Sequence, residues 1–132
     1  MKKVILLLLV SLLFAQPKGN LFIVGGGKIT SQLYKEFIKL AGGEKSKIII
    51  IPIASEEPLE SGKSREKAFK ENGAENVEIV IFDKETADND TNLAKFDDVK
   101  GVFFGGGDQN KLTKALLGTK LLSKIKNIYN NG

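Results

Sequence analysis

The chain contains no cysteine and no histidine among its 132 residues. The absence of cysteine excludes disulfides, thiolate metal sites and a cysteine nucleophile. The absence of histidine means that these residues alone cannot complete a Ser-His-acid triad or a histidine-bound metal site. The sequence therefore excludes several common catalytic centres, and we expect no metal in it.

The chain also lacks a large excess of either positive or negative side chains. The sequence carries 20 basic and 16 acidic side chains. Without Lys2 and Lys3 the basic side chains become 18 against 16 acidic ones, a net charge of +2. No Lys/Arg stripe with interleaved aromatic residues is present, which argues against a nucleic-acid partner.

The longest hydrophobic run lies at the N-terminus, where residues 1–3 include two lysines and residues 4–14 are apolar except for Ser11. Ala15 follows as a small residue. This pattern predicts a signal peptide over residues 1–15, hence a secreted or periplasmic protein. The run is too short for a membrane helix, which needs about 20 apolar residues, so we expect no stable membrane anchor. An uncleaved anchor and a buried first strand are the alternatives.

Four β-rich runs alternate with helical patterns in residues 16–132. The runs cover residues 21–24, 47–55, 76–82 and 99–104. Helical spacing follows at residues 33–41, 65–72, 92–96, 112–117 and 121–129. Such alternation is typical of a parallel sheet with crossover helices, so the predicted class is α/β.

The second run is apolar at almost every position, whereas the third is mixed on one face. Continuous apolar character predicts a strand buried on both faces in the middle of a parallel sheet. A mixed face predicts a position nearer the sheet edge. The Pro- and Gly-containing residues 56–64 predict a loop.

Two glycine triplets follow predicted strands, at Gly25, Gly26 and Gly27 and at residues 105–107. Ligands bind at the carboxyl ends of strands in open α/β folds. Glycine permits positive φ and close backbone approach, so that N–H groups can face an anion or a developing oxyanion. A simple tight turn is the alternative for either triplet.

The polar residues after the second triplet are Asp108 and Gln109. Asp108 has an ordinary alternative role as the N-cap of the next helix, whereas Gln109 has none. Neither triplet forms a Walker A loop or a dinucleotide-binding fingerprint, and the Gly62-Lys63-Ser64 sequence lacks the required leading glycine. We therefore expect no nucleotide cofactor.

Three segments in order, residues 21–27, 51–55 and 101–112, resemble the cyanophycinase branch of peptidase family S51. The resemblance implies a three-layer α/β fold like that of class I glutamine amidotransferases and flavodoxin. It also implies a serine peptidase whose nucleophile lies in a Gly-x-Ser-Ala-Gly elbow and is assisted by a histidine and an acid. No serine of this chain stands in a Gly-x-Ser-Ala-Gly sequence. We therefore expect the nucleophile beyond Gly132 and expect the fold formed by these residues to be incomplete.

By the same resemblance, Gly106 and Gly107 lie beside the oxyanion hole, and Asp108 and Gln109 face the substrate. The first triplet, residues 25–27, is assigned to substrate binding as well. The implied substrate is a peptide or acidic polypeptide, cleaved at peptide or β-aspartyl isopeptide bonds. No cofactor is implied.

Three functions remain open from the sequence. The first is a serine peptidase in which residues 16–132 form the N-terminal part and are inactive alone. The second is a secreted, non-catalytic binding domain for a small acidic ligand. The third is a structural subunit completed by another chain, which predicts an exposed apolar sheet edge. Homo-oligomerisation is left open.

Overall fold

The computed structural model describes residues 18–132, so the predicted signal peptide lies outside the described residues. A parallel sheet carries helices on both faces. Its strands are β1 Lys47–Ile51, β2 Val77–Ile79 and β3 Val99–Phe104. The helices are α1 Ser31–Leu40, α2 Pro58–Glu71, α3 Asp90–Lys95, α4 Gln109–Leu116 and α5 Lys120–Asn131. The predicted α/β class is confirmed.

Strand β1 is the centre of the sheet, whose order is β2-β1-β3 with both pairings parallel. Its residues Ile48 to Ile51 are fully buried. Both edges of β1 are paired and both faces are covered by helices, which explains why its sequence is apolar without alternation. The predicted central position is confirmed, and β2 lies at a sheet edge as predicted.

The two faces of the sheet build separate cores, because successive side chains of a strand point in opposite directions. Ile49 and Ile51 pack in one core with residues of α3, α4 and α5. Ile48 and Ile50 pack in the other core with residues of α1 and α2. The molecule therefore has three layers, as the resemblance implied.

Aromatic rings fill the core beneath α1 and α2. Phe69 is fully buried, and its ring centroid lies 4.9 Å from that of Tyr34 and 5.3 Å from those of Phe37 and Phe103. All three pairs are edge-to-face, the arrangement that the ring quadrupoles favour. Arg65 donates a hydrogen bond of 2.8 Å to the Tyr34 hydroxyl, so this buried polar atom is satisfied.

The predicted first strand is wrong, because residues 21–24 form no strand. Their segment is held by other contacts. The amides of Lys18 and Gly19 donate to the carbonyls of Asn130 and Tyr129 at the end of α5, and the Phe22 ring packs 6.3 Å from that of Phe37. A strand needs a hydrogen-bonded neighbour, and this segment crosses from the α5 layer to the α1 layer instead of pairing with β3.

The loop predicted over residues 56–64 is also wrong from Pro58 onward, because α2 begins there. Proline at the first helical position loses no hydrogen bond. Gly62 lies inside this helix, and a Cβ there would come 2.7 Å from Ile79 Cγ2. Close packing of the helix against β2 therefore explains the glycine at this position, which in the sequence alone predicted a loop.

The remaining boundaries differ by a few residues. The third predicted strand shortens to Val77–Ile79. Helix α3 starts earlier than predicted, because the Asn89 side chain caps it by accepting from the Asn92 amide at 2.7 Å. Within residues 18–132, no helix combines the length and the apolar character that a bilayer crossing requires.

Candidate functional site

The loop after β3, residues 105–108, lies at the carboxyl end of the sheet beside the end of β1. The Gly105 amide donates to the Ile51 carbonyl at 2.9 Å, and the Asp108 amide donates to the Ala54 carbonyl at 2.8 Å. Both ends of the loop are thus fixed to the central strand and the turn that follows it. This is the rim where parallel α/β sheets bind ligands.

Gly107 is held in a conformation and a space that suit only glycine. Its φ is +140°, and a Cβ there would lie 2.5 Å from the Ala54 carbonyl carbon and 2.9 Å from the Ser55 nitrogen. At Gly106, in contrast, a Cβ would meet no atom within 4 Å. The two neighbouring glycines therefore have different reasons to be glycine: contact with backbone at Gly107 and open space at Gly106.

The amides of Gly106 and Gly107 are the unpaired donors of this loop. Within the described residues neither of them donates to a backbone or side-chain acceptor, whereas Gly105 and Asp108 do. Unpaired backbone N–H groups at a strand-to-helix turn can bind an anion or a developing oxyanion. The assignment of Gly106 and Gly107 to an oxyanion hole remains a prediction that this geometry permits.

Asp108 acts as the N-cap of α4. Its Oδ1 accepts from the Asn110 amide at 2.8 Å, which satisfies one of the free amides at the helix start. Gln109 follows as the first helical residue, with an exposed side chain. The alternative that the sequence left open for Asp108 is therefore realised, while a substrate-facing role for either side chain stays a prediction.

An ion pair next to the loop was not expected from the sequence. Lys111 Nζ on α4 lies 2.7 Å from Glu56 Oε1 in the turn after β1, and Ser55 Oγ accepts from the Glu57 amide at 3.1 Å. Because Glu56 is 86% exposed, this pair is worth little energy. The only sequence signal for it is that both residues follow predicted strand ends.

The first glycine triplet lies in open surroundings. Gly26 and Gly27 have φ of +95° and +80°, and a Cβ at residues 25–27 would meet no atom within 4 Å. Gly26, Gly27 and Gly106 line one cavity of about 540 Å³. Parts of the two triplets are thus brought together. Gly25, Gly107, Asp108 and Gln109 do not line this cavity.

Charge in the cavity wall is of one sign. Arg65, Lys100 and Lys126 line it, with no acidic residue. Within residues 18–132, no group of three or more potential metal-ligating side chains is found.

Carboxyls with a lowered pKa lie away from this loop, in the turn before α3. Hydrogen bonds from the Thr86 side chain and amide lower the pKa of Asp83. Hydrogen bonds from the amides of Lys120 and Leu121, at the start of α5, lower the pKa of Asp88. These carboxyls stabilise a turn and a helix end, which is a structural role.

The profile of Peptidase family S51 matches residues 21–132. The cyanophycinase of Trichormus variabilis is 33% identical over 119 residues, which cover 87% of this chain and 40% of that protein. The cyanophycinase of Synechococcus elongatus is 33% identical over 113 residues, 83% of this chain and 35% of that protein.

A more distant cyanophycinase, from Geminocystis herdmanii, is 26% identical over 83% of this chain and 42% of its own length. The chain thus spans about 40% of the length of the curated relatives it matches. The family profile extends from the segment before α1 to the last residue and includes the loop after β3. This chain therefore belongs to peptidase family S51.

Proposed function

We propose that this chain forms the N-terminal part of a serine-type peptidase that hydrolyses peptide or β-aspartyl isopeptide bonds. The observation that carries the proposal is the pair of unpaired amides at Gly106 and Gly107, at the carboxyl rim of the sheet, in a member of a peptidase family. Attack of a serine on a carbonyl produces an oxyanion that such donors stabilise.

The contribution of each amide donor is large enough to matter. Loss of one oxyanion-hole donor costs about 3 kcal/mol of barrier lowering. The hydrogen bonds of the Gly105 and Asp108 amides hold the loop on both sides of Gly106 and Gly107, so we propose that these donors are in position before substrate binds. A donor that needs no rearrangement contributes most to the transition state.

The nucleophile and its base are proposed to come from residues outside these 132. The chain has no histidine, and none of its serines stands in a Gly-x-Ser-x-Gly sequence. We accordingly expect the isolated chain to show no turnover of β-aspartyl or acidic peptides. Hydrolysis by the purified chain that a serine-directed inhibitor abolishes would contradict this.

Substrate contacts are proposed for the cavity shared by Gly26, Gly27 and Gly106. The cationic side chains in its wall suit a peptide with carboxylates. Gln109 lies outside this cavity, at the start of α4, and is proposed to hydrogen-bond the part of the substrate that extends past Gly106, because the Asp108 carboxylate is already engaged as a helix cap.

A non-catalytic binding domain is the second candidate. The cationic side chains in the cavity wall favour it, because the cavity could hold an acidic ligand without any chemistry. The two candidates differ in whether the loop supports catalysis when a nucleophile is supplied.

A chimera separates these functions. The matched segment of the Trichormus variabilis cyanophycinase is replaced by residues 21–132, and hydrolysis is measured. We expect an active chimera in which G106P, which removes the amide hydrogen, lowers kcat by about 10²- to 10³-fold. G106A is the matched control, because it keeps the amide and places its Cβ in open space.

Either of two results would refute the catalytic proposal. The first is a folded chimera without activity, shown by a cooperative thermal transition. The second is equal kcat for G106P and G106A. Ligand binding by such an inactive chimera would then favour the binding domain.

We propose that the protein is exported across the cytoplasmic membrane. The proposal depends on the sequence pattern of residues 1–15, which the structure does not describe. Expression of the whole chain in a bacterium with a periplasm, followed by intact mass measurement, tests it. We expect the periplasmic product to begin at Gln16. A cytoplasmic product that retains Met1 would contradict the proposal.

A further inference from the structure

The pair Asn72-Gly73 joins the end of α2 to the segment before β2. Gly73 has a φ of +105°, the left-handed conformation that ends many helices and favours glycine. Because glycine has no side chain to shield its nitrogen, that nitrogen can attack the side-chain amide of a preceding asparagine. The fold therefore requires a glycine at a position where it forms a chemically reactive pair with Asn72.

Hydrogen bonds hold all the groups that would take part in such a reaction. The Asn72 Nδ2 donates to the Ala68 carbonyl at 2.7 Å, and the Asn72 Oδ1 accepts from the Ser31 hydroxyl at the start of α1. The Gly73 amide donates to the Lys70 carbonyl at 3.1 Å. The nucleophile, the leaving group and the carbonyl oxygen are thus all engaged while α1 and α2 are in contact.

The backbone also keeps the reacting atoms apart. Asn72 has a ψ of 11°. Since the substituents of Cα are tetrahedral, this ψ turns the Gly73 nitrogen away from the Asn72 Cβ, whereas ring closure needs both on the same side. Reaction therefore requires the end of α2 to open and its contact with α1 to break.

The pair lies at the amino end of the sheet, at a half-buried position. Asn72 lines a cavity of about 490 Å³ beside the end of α1. The Glu75 amide donates to the Glu44 carbonyl, just before β1, at 2.8 Å. The pair is thus remote from the loop after β3, which lies at the carboxyl end of the same parallel sheet.

We propose that Asn72 is a modification site, at which the chain deamidates when α1 and the end of α2 separate. The Gly73 nitrogen bonds to the Asn72 Cγ, the Cγ–Nδ2 bond breaks, and ammonia leaves with the proton of the Gly73 amide. Water then opens the succinimide to aspartate or to a β-linked isoaspartate. Water is the only co-reactant, and the proposal does not depend on peptidase activity.

Either product prevents the helix end from closing as before. An aspartate side chain has no donor for the Ala68 carbonyl. An isoaspartate adds a methylene group to the backbone three residues after Phe69, which is fully buried in the aromatic core. The modified fraction of the chain is therefore an irreversible record of how often α1 and α2 have separated.

Ageing of the purified chain at mildly alkaline pH tests this proposal, with a synthetic peptide of residues 70–75 as the unprotected reference. Mass spectrometry of the tryptic peptide 71–84 measures the mass gain and the isoaspartate, and fragment ions assign them to Asn72. The other Asn-Gly pair lies in the separate tryptic peptide 127–132. Each hydrogen bond should slow the reaction by about five-fold, so the three together should make the folded chain about 10²-fold slower than the reference.

Substitution of the serine on α1 provides the matched comparison. S31A removes one hydrogen bond and should make deamidation of Asn72 about five-fold faster. S31T keeps a hydroxyl and should restore the original rate. S64A, at an exposed serine of α2, should leave the rate unchanged. Ser31 is exposed as well, so all three variants should retain their circular dichroism spectra.

Three results would overturn the proposal. Equal rates for the folded chain and the reference peptide would show that contact between α1 and α2 does not protect Asn72. Equal rates for S31A and S64A would refute the role of the Ser31 hydroxyl. Absence of modification at Asn72 in the chain unfolded in urea, under conditions in which the reference peptide reacts, would refute the site itself.

Discussion

Replacement of Gly107 by alanine should destabilise the protein much more than the same change one residue earlier. The new Cβ would lie 2.5 Å from the Ala54 carbonyl carbon, and the residue would have to keep a φ of +140°. A side chain in such a sparsely populated backbone region costs about 1–3 kcal/mol. The overlap must be relieved by moving the loop, which adds roughly 1–3 kcal/mol.

Movement of the loop would also break the hydrogen bond from the Asp108 amide to the Ala54 carbonyl, now 2.8 Å long. Its loss costs about 1 kcal/mol. We therefore expect G107A to lower the free energy of unfolding by about 5 kcal/mol, a large part of the 5–15 kcal/mol typical of a domain. The Tm should fall by more than roughly 10 °C.

Urea denaturation of G107A and G106A, followed by circular dichroism, measures the difference. Gly106 has open space for a Cβ and is not among the residues with positive φ, so G106A should match the original protein or exceed its stability by up to about 1 kcal/mol. A midpoint for G107A equal to that of G106A would refute the claim that backbone contact with Ala54 sets this loop.

Three further predictions concern the fold. F69A should cost about 3–5 kcal/mol in thermal unfolding, because the ring is fully buried, whereas L59A, at a side chain that is 51% exposed, should cost less than about 0.5 kcal/mol. T119A should cost about 1 kcal/mol by removing the cap of α5, and T119S should restore it. D88N should be less stable than the original protein at neutral pH; because the pKa of Asp88 is lowered by folding, the difference should vanish in melts recorded as the pH falls through that lowered pKa.

The sequence pattern was sufficient to predict those helices and strands whose local preference agrees with their burial in the fold. The unbroken apolar run at residues 48–51 required burial on both faces, and β1 is the central strand. Helices α1 and α5 have regular apolar spacing, and each begins within two residues of the predicted span. In these segments one structure satisfies both local preference and burial.

Tertiary contacts decided the segments where the sequence pattern failed. Residues 21–24 have strand-like composition but no paired neighbour, since strand formation depends on a partner that composition does not specify. Gly62 looks like a loop residue, yet the approach of α2 to Ile79 gives it a place in a helix.

The candidate site divides in the same way. The sequence by itself determined that a glycine-rich turn with an acidic cap follows a parallel strand, because strand order along the chain and the capping preference of Asp108 are local properties. Only the tertiary structure decided which amides of the loop form hydrogen bonds within the described residues. The amides of Gly105 and Asp108 donate to the carbonyls of Ile51 and Ala54, and those of Gly106 and Gly107 do not. That distinction depends on the position of Ala54 beside the loop. The position is set by the pairing of β1 with β3, whose residues are far apart in the sequence.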